Sequence, residues 1–142
     1  MNETIISNSE KDTFEFGKRL AEAAKPGEVY LLDGDLGVGK TVFTKGFGKG
    51  LGIDTPISSP TFTILKEYDE GRIPMYHFDV YRVGSEDEME EIGFFDKIDS
   101  GDGVTLIEWA KLIPGIIPEN AIQIVIEKKP EKGFDYREII VN

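Results

Sequence analysis

Residues Gly34-Asp35-Leu36-Gly37-Val38-Gly39-Lys40-Thr41 satisfy every fixed position of the pattern G-x-x-x-x-G-K-[ST]. That run restricts the fold, because its chemistry works only between a strand and a helix. Glycines let the backbone turn tightly enough for successive N–H groups to point at one anion. A helix opening near Lys40 adds the positive end of its dipole. The Lys40 ammonium then reaches the outer phosphates, and the Thr41 hydroxyl faces Mg²⁺. The flanks agree with this reading. Val29-Tyr30-Leu31-Leu32 is continuously apolar, as in a strand buried on both faces. Phe43, Phe47 and Leu51 recur one helical turn apart after the loop. The competing reading is a glycine turn between strand and helix with an incidental lysine. Gly46, Gly48 and Gly50 lie inside this second helix. Each costs up to ~1 kcal/mol relative to alanine, which points to close packing on a neighbour.

The remaining pattern alternates helices and strands at the front and favours strands at the back. Thr4-Ile5-Ile6 is a strand candidate. Ser9 is an N-cap for a helix from about Glu10 to Ala24, ended by Pro26-Gly27. Phe62 to Tyr68 and Ile73 to Arg82 predict a hairpin turning at Asp69 to Arg72. Ser85-Glu86-Asp87-Glu88 has the form of a full capping box for a short helix carrying Met89 and Ile92 and stopping near Gly93. Val104 to Trp109 is a further strand, and Pro114 and Pro118 break the stretch after it. Ala121 to Glu127 and Tyr136 to Val141 predict a last hairpin. The expected fold is α/β, a P-loop NTPase-like three-layer sandwich with a mixed parallel and antiparallel central sheet. The 142 residues suit one such domain, residues 1–142.

Composition narrows the chemistry. The chain has no cysteine and a single histidine, His77, so thiolate and His-rich metal sites are excluded. Oxygen ligands remain, and these suit Mg²⁺. The net charge of -11 disfavours direct binding of tRNA or DNA phosphates by the lone chain. Docking on a more basic partner stays open. The start of the chain is polar, and no apolar run approaches the ~20 residues of a membrane helix. A cytoplasmic protein without membrane contact is expected.

Enzymes with such a loop hold a further acid beside the metal, at the end of a neighbouring strand. Asp79 and Glu108 both follow apolar strand residues and are the two candidates. Asp79 could instead form a structural pair with Arg82 or a lysine, and Glu108 could be an exposed strand end. The acids from Glu86 to Glu91 complement a helix dipole. His77 reads as a satisfied core histidine. Trp109 is either core or a wall of the nucleotide or partner site, and Arg137 reads as a solvated charge at a strand edge.

Four segments in order, Gly34 to Thr41, Ser59-Pro60-Thr61-Phe62-Thr63, His77-Phe78-Asp79-Val80-Tyr81-Arg82 and Ile107-Glu108-Trp109, resemble the bacterial TsaE (YjeE) family over residues 5 to 141. The resemblance implies an ATPase of the machinery that makes threonylcarbamoyladenosine in tRNA, next to the anticodon. It implies binding to the TsaB–TsaD pair, in which TsaD performs the transfer. On that reading ATP is held by the loop from Gly34 to Thr41, with ADP as product. Lys40, Asp79 and Glu108 form the catalytic set, Thr41 and Glu108 serve Mg²⁺, and Asp79 lies by the phosphates. Ser59-Pro60-Thr61 corresponds to a switch segment, and Glu10 and Arg137 flank the adenine. One departure is Ala110-Lys111-Leu112-Ile113 after Glu108-Trp109, where the family often has Pro and then Gly.

Two other functions fit a phosphate-binding loop. A small kinase needs a second substrate pocket and usually an arginine-rich lid; here Arg19, Arg72, Arg82 and Arg137 are scattered. A GTP-dependent switch would carry an Asn-Lys-x-Asp segment, and the sequence has none.

Overall fold

The computed structural model describes residues 3–35, 37–58, 60 and 64–142. Leu36 of the glycine loop, Ser59 and Thr61 of the switch-like segment, and the expected strand start at Phe62 lie outside them. Among the described residues the strands are β1 (Glu3–Ser7), β2 (Val29–Asp33), β3 (Leu65–Tyr68), β4 (Met75–Asp79), β5 (Val104–Glu108), β6 (Ile122–Lys128) and β7 (Arg137–Val141). They form one sheet in the order β1-β7-β6-β2-β5-β4-β3. The four central strands β6, β2, β5 and β4 are parallel, and β1, β7 and β3 add antiparallel edges. This is the mixed sheet expected from the sequence.

Strand alternation sorts the core into two layers. Leu32, Met75, Val104, Leu106 and Ile124 face one side, with Phe16 of α1 (Glu10–Glu22) and Phe43 and Phe47 of α2 (Lys40–Gly50). Tyr76, Phe78 and Ile107 face the other, with Met89 of α3 (Glu86–Glu91) and Phe94 of α4 (Phe94–Ser100).

The start of α1 is capped as expected, with the Ser9 hydroxyl accepting from the Asp12 amide at 3.1 Å. Asp12 returns the contact to the Asn8 amide at 3.0 Å rather than to Ser9 itself. The box at Ser85 does not close. Ser85 has the extended cap backbone, but its side chain makes no capping bond. The helix near Gly93 does stop there, and a second helix, α4, follows at once from a left-handed Gly93 at φ 85°. The local sequence pattern does not predict α4. Seven residues without a capping side chain leave a weak local signal, and the helix is held by Phe94 packing edge-on against Phe78 at 5.2 Å.

The glycines in α2 have a packing reason. A Cβ on Gly17 would lie 2.5 Å from the Phe43 carbonyl oxygen, and Cβ atoms on Gly46 and Gly50 would strike the Phe14 and Lys18 carbonyls. The two helices therefore meet backbone against backbone, and α2 is fixed at a distance no side chain would permit. Gly46→Ala sets a helix-propensity gain of ~1 kcal/mol against an overpacking cost of ~1–3 kcal/mol or more. The obstructing atom is backbone, so the cost wins. The variant is expected to lose about 1–2 kcal/mol, read as a lower urea midpoint at unchanged slope; an unchanged or higher midpoint would contradict the close contact.

Candidate functional site

The loop runs from the carboxyl end of β2 into α2, at the end of the parallel strands where α/β sheets bind ligands. Asp33 starts it by accepting from the Gly34 amide at 2.8 Å. Gly34 has φ 149°, and a Cβ there would sit 2.6 Å from the Ile126 carbonyl oxygen on β6. Gly39 caps α2 in a left-handed conformation, φ 110°, which a residue with a side chain adopts only with strain. The first-turn amides of α2 have no partner within the helix and point towards the loop.

A cavity of about 570 Å³ opens in front of this helix end. Gly37, Gly39, Lys40 and Thr41 line one side, and Asp79 and Glu108 line the other. Tyr81, Arg82 and Trp109 continue the wall. The two acids come from the last positions of adjacent parallel strands, where Asp79 and Glu108 are register partners. Both are buried, each 8% exposed. The alternative of an exposed strand end for Glu108 is therefore excluded. Asp79 accepts from the Tyr81 amide at 3.1 Å, which turns the chain just after the strand.

Lys40 and Glu108 face each other, with Nζ 4.0 Å from Oε1. The other oxygen, Oε2, is 2.8 Å from His77 Nε2. The Lys40 ammonium also lies over the Trp109 ring, 5.0 Å from its centroid. Trp109 holds φ 66° and packs on Tyr81 at 4.8 Å. It forms a wall of the site and also packs against the second core layer. Ala110 to Leu112, at the departure from the family pattern, forms a short 3-10 turn beyond it.

A second cavity, about 260 Å³, lies on the other side of the loop and brings Glu10 and Arg137 together with Thr13, Val38, Lys128 and Phe134. Arg137 is not the solvated edge charge expected from the sequence. Its Nε donates to the Val38 carbonyl at 2.9 Å, and another guanidinium nitrogen donates to the carbonyls of Phe134 and Tyr136 at 3.0 and 2.9 Å. It ties the hairpin between β6 and β7 to the glycine loop. Next to it, Lys132 and Tyr136 donate to Glu138 and hold that carboxyl below the usual carboxylate range. Lys128 and Phe134, which no motif singles out, share this cavity. Nothing in their spacing marks them; they reach the loop only through strand pairing.

These features define the class: an α/β protein of P-loop-like fold, with a glycine loop entering a helix beside paired acids. The family model for "Threonylcarbamoyl adenosine biosynthesis protein TsaE" matches residues 7–139. The Bacillus subtilis (strain 168) tRNA threonylcarbamoyladenosine biosynthesis protein TsaE is 52% identical over 129 residues, 91% of this chain and 78% of the relative. The Nostoc protein of the same name is 43% identical over 113 residues, 78% of this chain and 69% of the relative. The crystal structure of Bacillus subtilis YdiB superposes with a TM-score of 0.79 at 42% identity, covering 99% of this chain and 84% of the other. The chain belongs to the TsaE family, whose members take part in tRNA threonylcarbamoyladenosine biosynthesis. Among the described residues no helix is long and apolar enough to cross a membrane.

The Arg137 contacts generate a test. A charged donor on a partly exposed carbonyl contributes roughly 1.5–3 kcal/mol, and solvent here favours the lower end. Arg137→Gln is expected to lower stability by about 1–2 kcal/mol and to speed amide exchange at Gly37 to Lys40 more than in α1. Equal exchange in the two regions would mean that Arg137 does not brace the loop.

Proposed function

We propose that this chain binds ATP with Mg²⁺ and hydrolyses it as the energy-coupling component of threonylcarbamoyladenosine formation in tRNA, acting on the TsaB–TsaD pair. The observation that carries the reading is the single 570 Å³ cavity shared by Gly37 to Thr41 and by Asp79 and Glu108. Phosphate donors and oxygens suited to a metal line one space, as a triphosphate and its cation require.

The residues present fit Mg²⁺. Mg²⁺ keeps most of its waters and takes one or two protein oxygens together with phosphate. Thr41 and Glu108 offer a hydroxyl and a carboxylate in the same cavity. Among the described residues no cluster of three or more His, Asp or Glu forms an all-protein cage, which accords with that sparse ligation. Held by Thr41 and Glu108, Mg²⁺ would offset the negative charge of the phosphates.

The chain's own groups divide the remaining work. Backbone amides of the loop and the α2 N-terminus hold the phosphates. Lys40, now against Glu108 and the Trp109 ring, has a stronger partner in a phosphate oxygen. Were Lys40 drawn to a phosphate, Glu108 Oε1 would be left to hold the metal or its water. Asp79 sits across from Glu108 to orient water by the phosphates. The cavity at Glu10 and Arg137 takes the adenine, with the exposed Phe134 ring at its lip. The scattered arginines weigh against a kinase lid.

Lys40→Ala is expected to weaken triphosphate binding and lower turnover by roughly 10²-fold or more, because a charged donor is lost where charge concentrates. Glu108→Gln should keep much of the binding and slow hydrolysis by about the same factor. The single tryptophan, Trp109, lies in the cavity wall, so its fluorescence follows nucleotide titration directly. Wild-type affinity and turnover in both variants would remove the reading.

The partner role has its own test. The lone chain should hydrolyse ATP slowly and be accelerated by the TsaB–TsaD pair, since no arginine-rich lid supplies transition-state charge in cis. With a net charge of -11 it should bind tRNA weakly unless the pair is present. A fast lone ATPase indifferent to the pair, or tight tRNA binding without it, would overturn the assignment.

A further inference from the structure

We infer that His77 is a positioning residue for Glu108: its imidazole fixes one carboxylate oxygen so that the other is presented to the cation. The inference rests on the reading above, in which Glu108 serves Mg²⁺.

His77 and Glu108 lie on the same face of β4 and β5, diagonal neighbours in a register that pairs His77 with Leu106 and Asp79 with Glu108. Nε2 is 2.8 Å from Oε2. A carboxylate only accepts, so Nε2 carries the proton and donates. The ring is 1% exposed, and among the described residues its Nδ1 has no hydrogen-bond partner. Leaving a buried polar atom unpaired costs about 1–3 kcal/mol, which an apolar side chain at this position would avoid. As a core residue alone, histidine is a poor choice here. Its one hydrogen bond, among the described residues, goes to Glu108.

The two oxygens of Glu108 are held unequally. Oε1 is 4.0 Å from Lys40, an ionic contact that a phosphate takes over. Oε2 is on His77, whose buried ring faces Glu108 rather than the phosphate loop's amides. Beneath α2, Thr41, Thr44, Ile57 and Ser58 close the space around the pair. The Thr44 hydroxyl is already committed to the Lys40 carbonyl at 2.8 Å. His77 is thus the buried partner of Glu108, and it sets the direction in which Oε1 points. Partners of this kind behind a metal ligand typically alter metal affinity by about 10–100-fold.

The test follows Trp109 fluorescence during ADP titration at a series of Mg²⁺ concentrations, and in EDTA. For His77→Leu the Mg²⁺ needed for half of the metal-dependent gain in ADP affinity should rise about tenfold or more, while affinity in EDTA stays as in the wild type. His77→Gln carries an amide N–H to the place of Nε2 and should restore most of the Mg²⁺ response; His77→Asn stops short and should not. If the leucine variant does not fold, the glutamine and asparagine variants decide by the same measure. Unchanged Mg²⁺ dependence, equal loss with and without Mg²⁺, or identical behaviour of Gln and Asn would overturn the proposal. Failure of the underlying reading looks different: wild-type protein would bind ADP with no Mg²⁺ dependence, or not at all, and that result would overturn both.

Discussion

The register of β4 on β5 brings Asp79 opposite Glu108 at the ends of adjacent parallel strands, and both carboxyls are buried. Like charges this close, out of water, oppose folding unless each finds a cation or a donor. The surroundings answer that demand. Glu108 is met by the Lys40 ammonium and the His77 imidazole, and Asp79 by the Tyr81 amide. Concentrated negative charge of this kind attracts a cation. Two buried acids side by side burden the fold, a cost that proteins accept at sites serving function rather than stability.

Such a site works only if the loop stands at a fixed distance from the strand ends. Two contacts set that distance. On one side α2 lies against α1 through Gly17, Gly46 and Gly50, with no side chain between the backbones. On the other, Gly34 runs against the Ile126 carbonyl of β6, and Arg137 clasps the Val38 carbonyl. The antiparallel β6–β7 hairpin thus belongs to the site as much as the parallel strands do. Without it the loop would lose its outer brace and the second cavity would lose a wall.

Much of this was legible in the residues. The loop pattern, the apolar run before it and the acids closing two later strands lie on continuous stretches of chain, where local spacing reports local geometry. The strands appear near their expected places, with ends shifted by a few residues: the Ile73 to Arg82 stretch narrows to Met75–Asp79. The family resemblance gathered Glu10 and Arg137, and they do share a cavity. The opposite holds for α4 and for the side chain of Ser85, because a seven-residue helix and a cap both depend on what packs around them.

By itself the sequence determined that a strand must turn through glycines into a helix at Lys40, that oxygen rather than sulfur or imidazole clusters would meet any metal, and that the chain would be strongly acidic. These follow from composition and from spacings shorter than one element. Tertiary structure decided which side chains became neighbours. Arg137 changed from a surface charge to a clasp on a loop 99 positions earlier in the chain, and His77 from a core residue to the anchor of an acid 31 positions later. The physical reason is that strand pairing and its register are set by burial of the whole sheet. A pattern read within one segment carries no information about which partner that burial will supply.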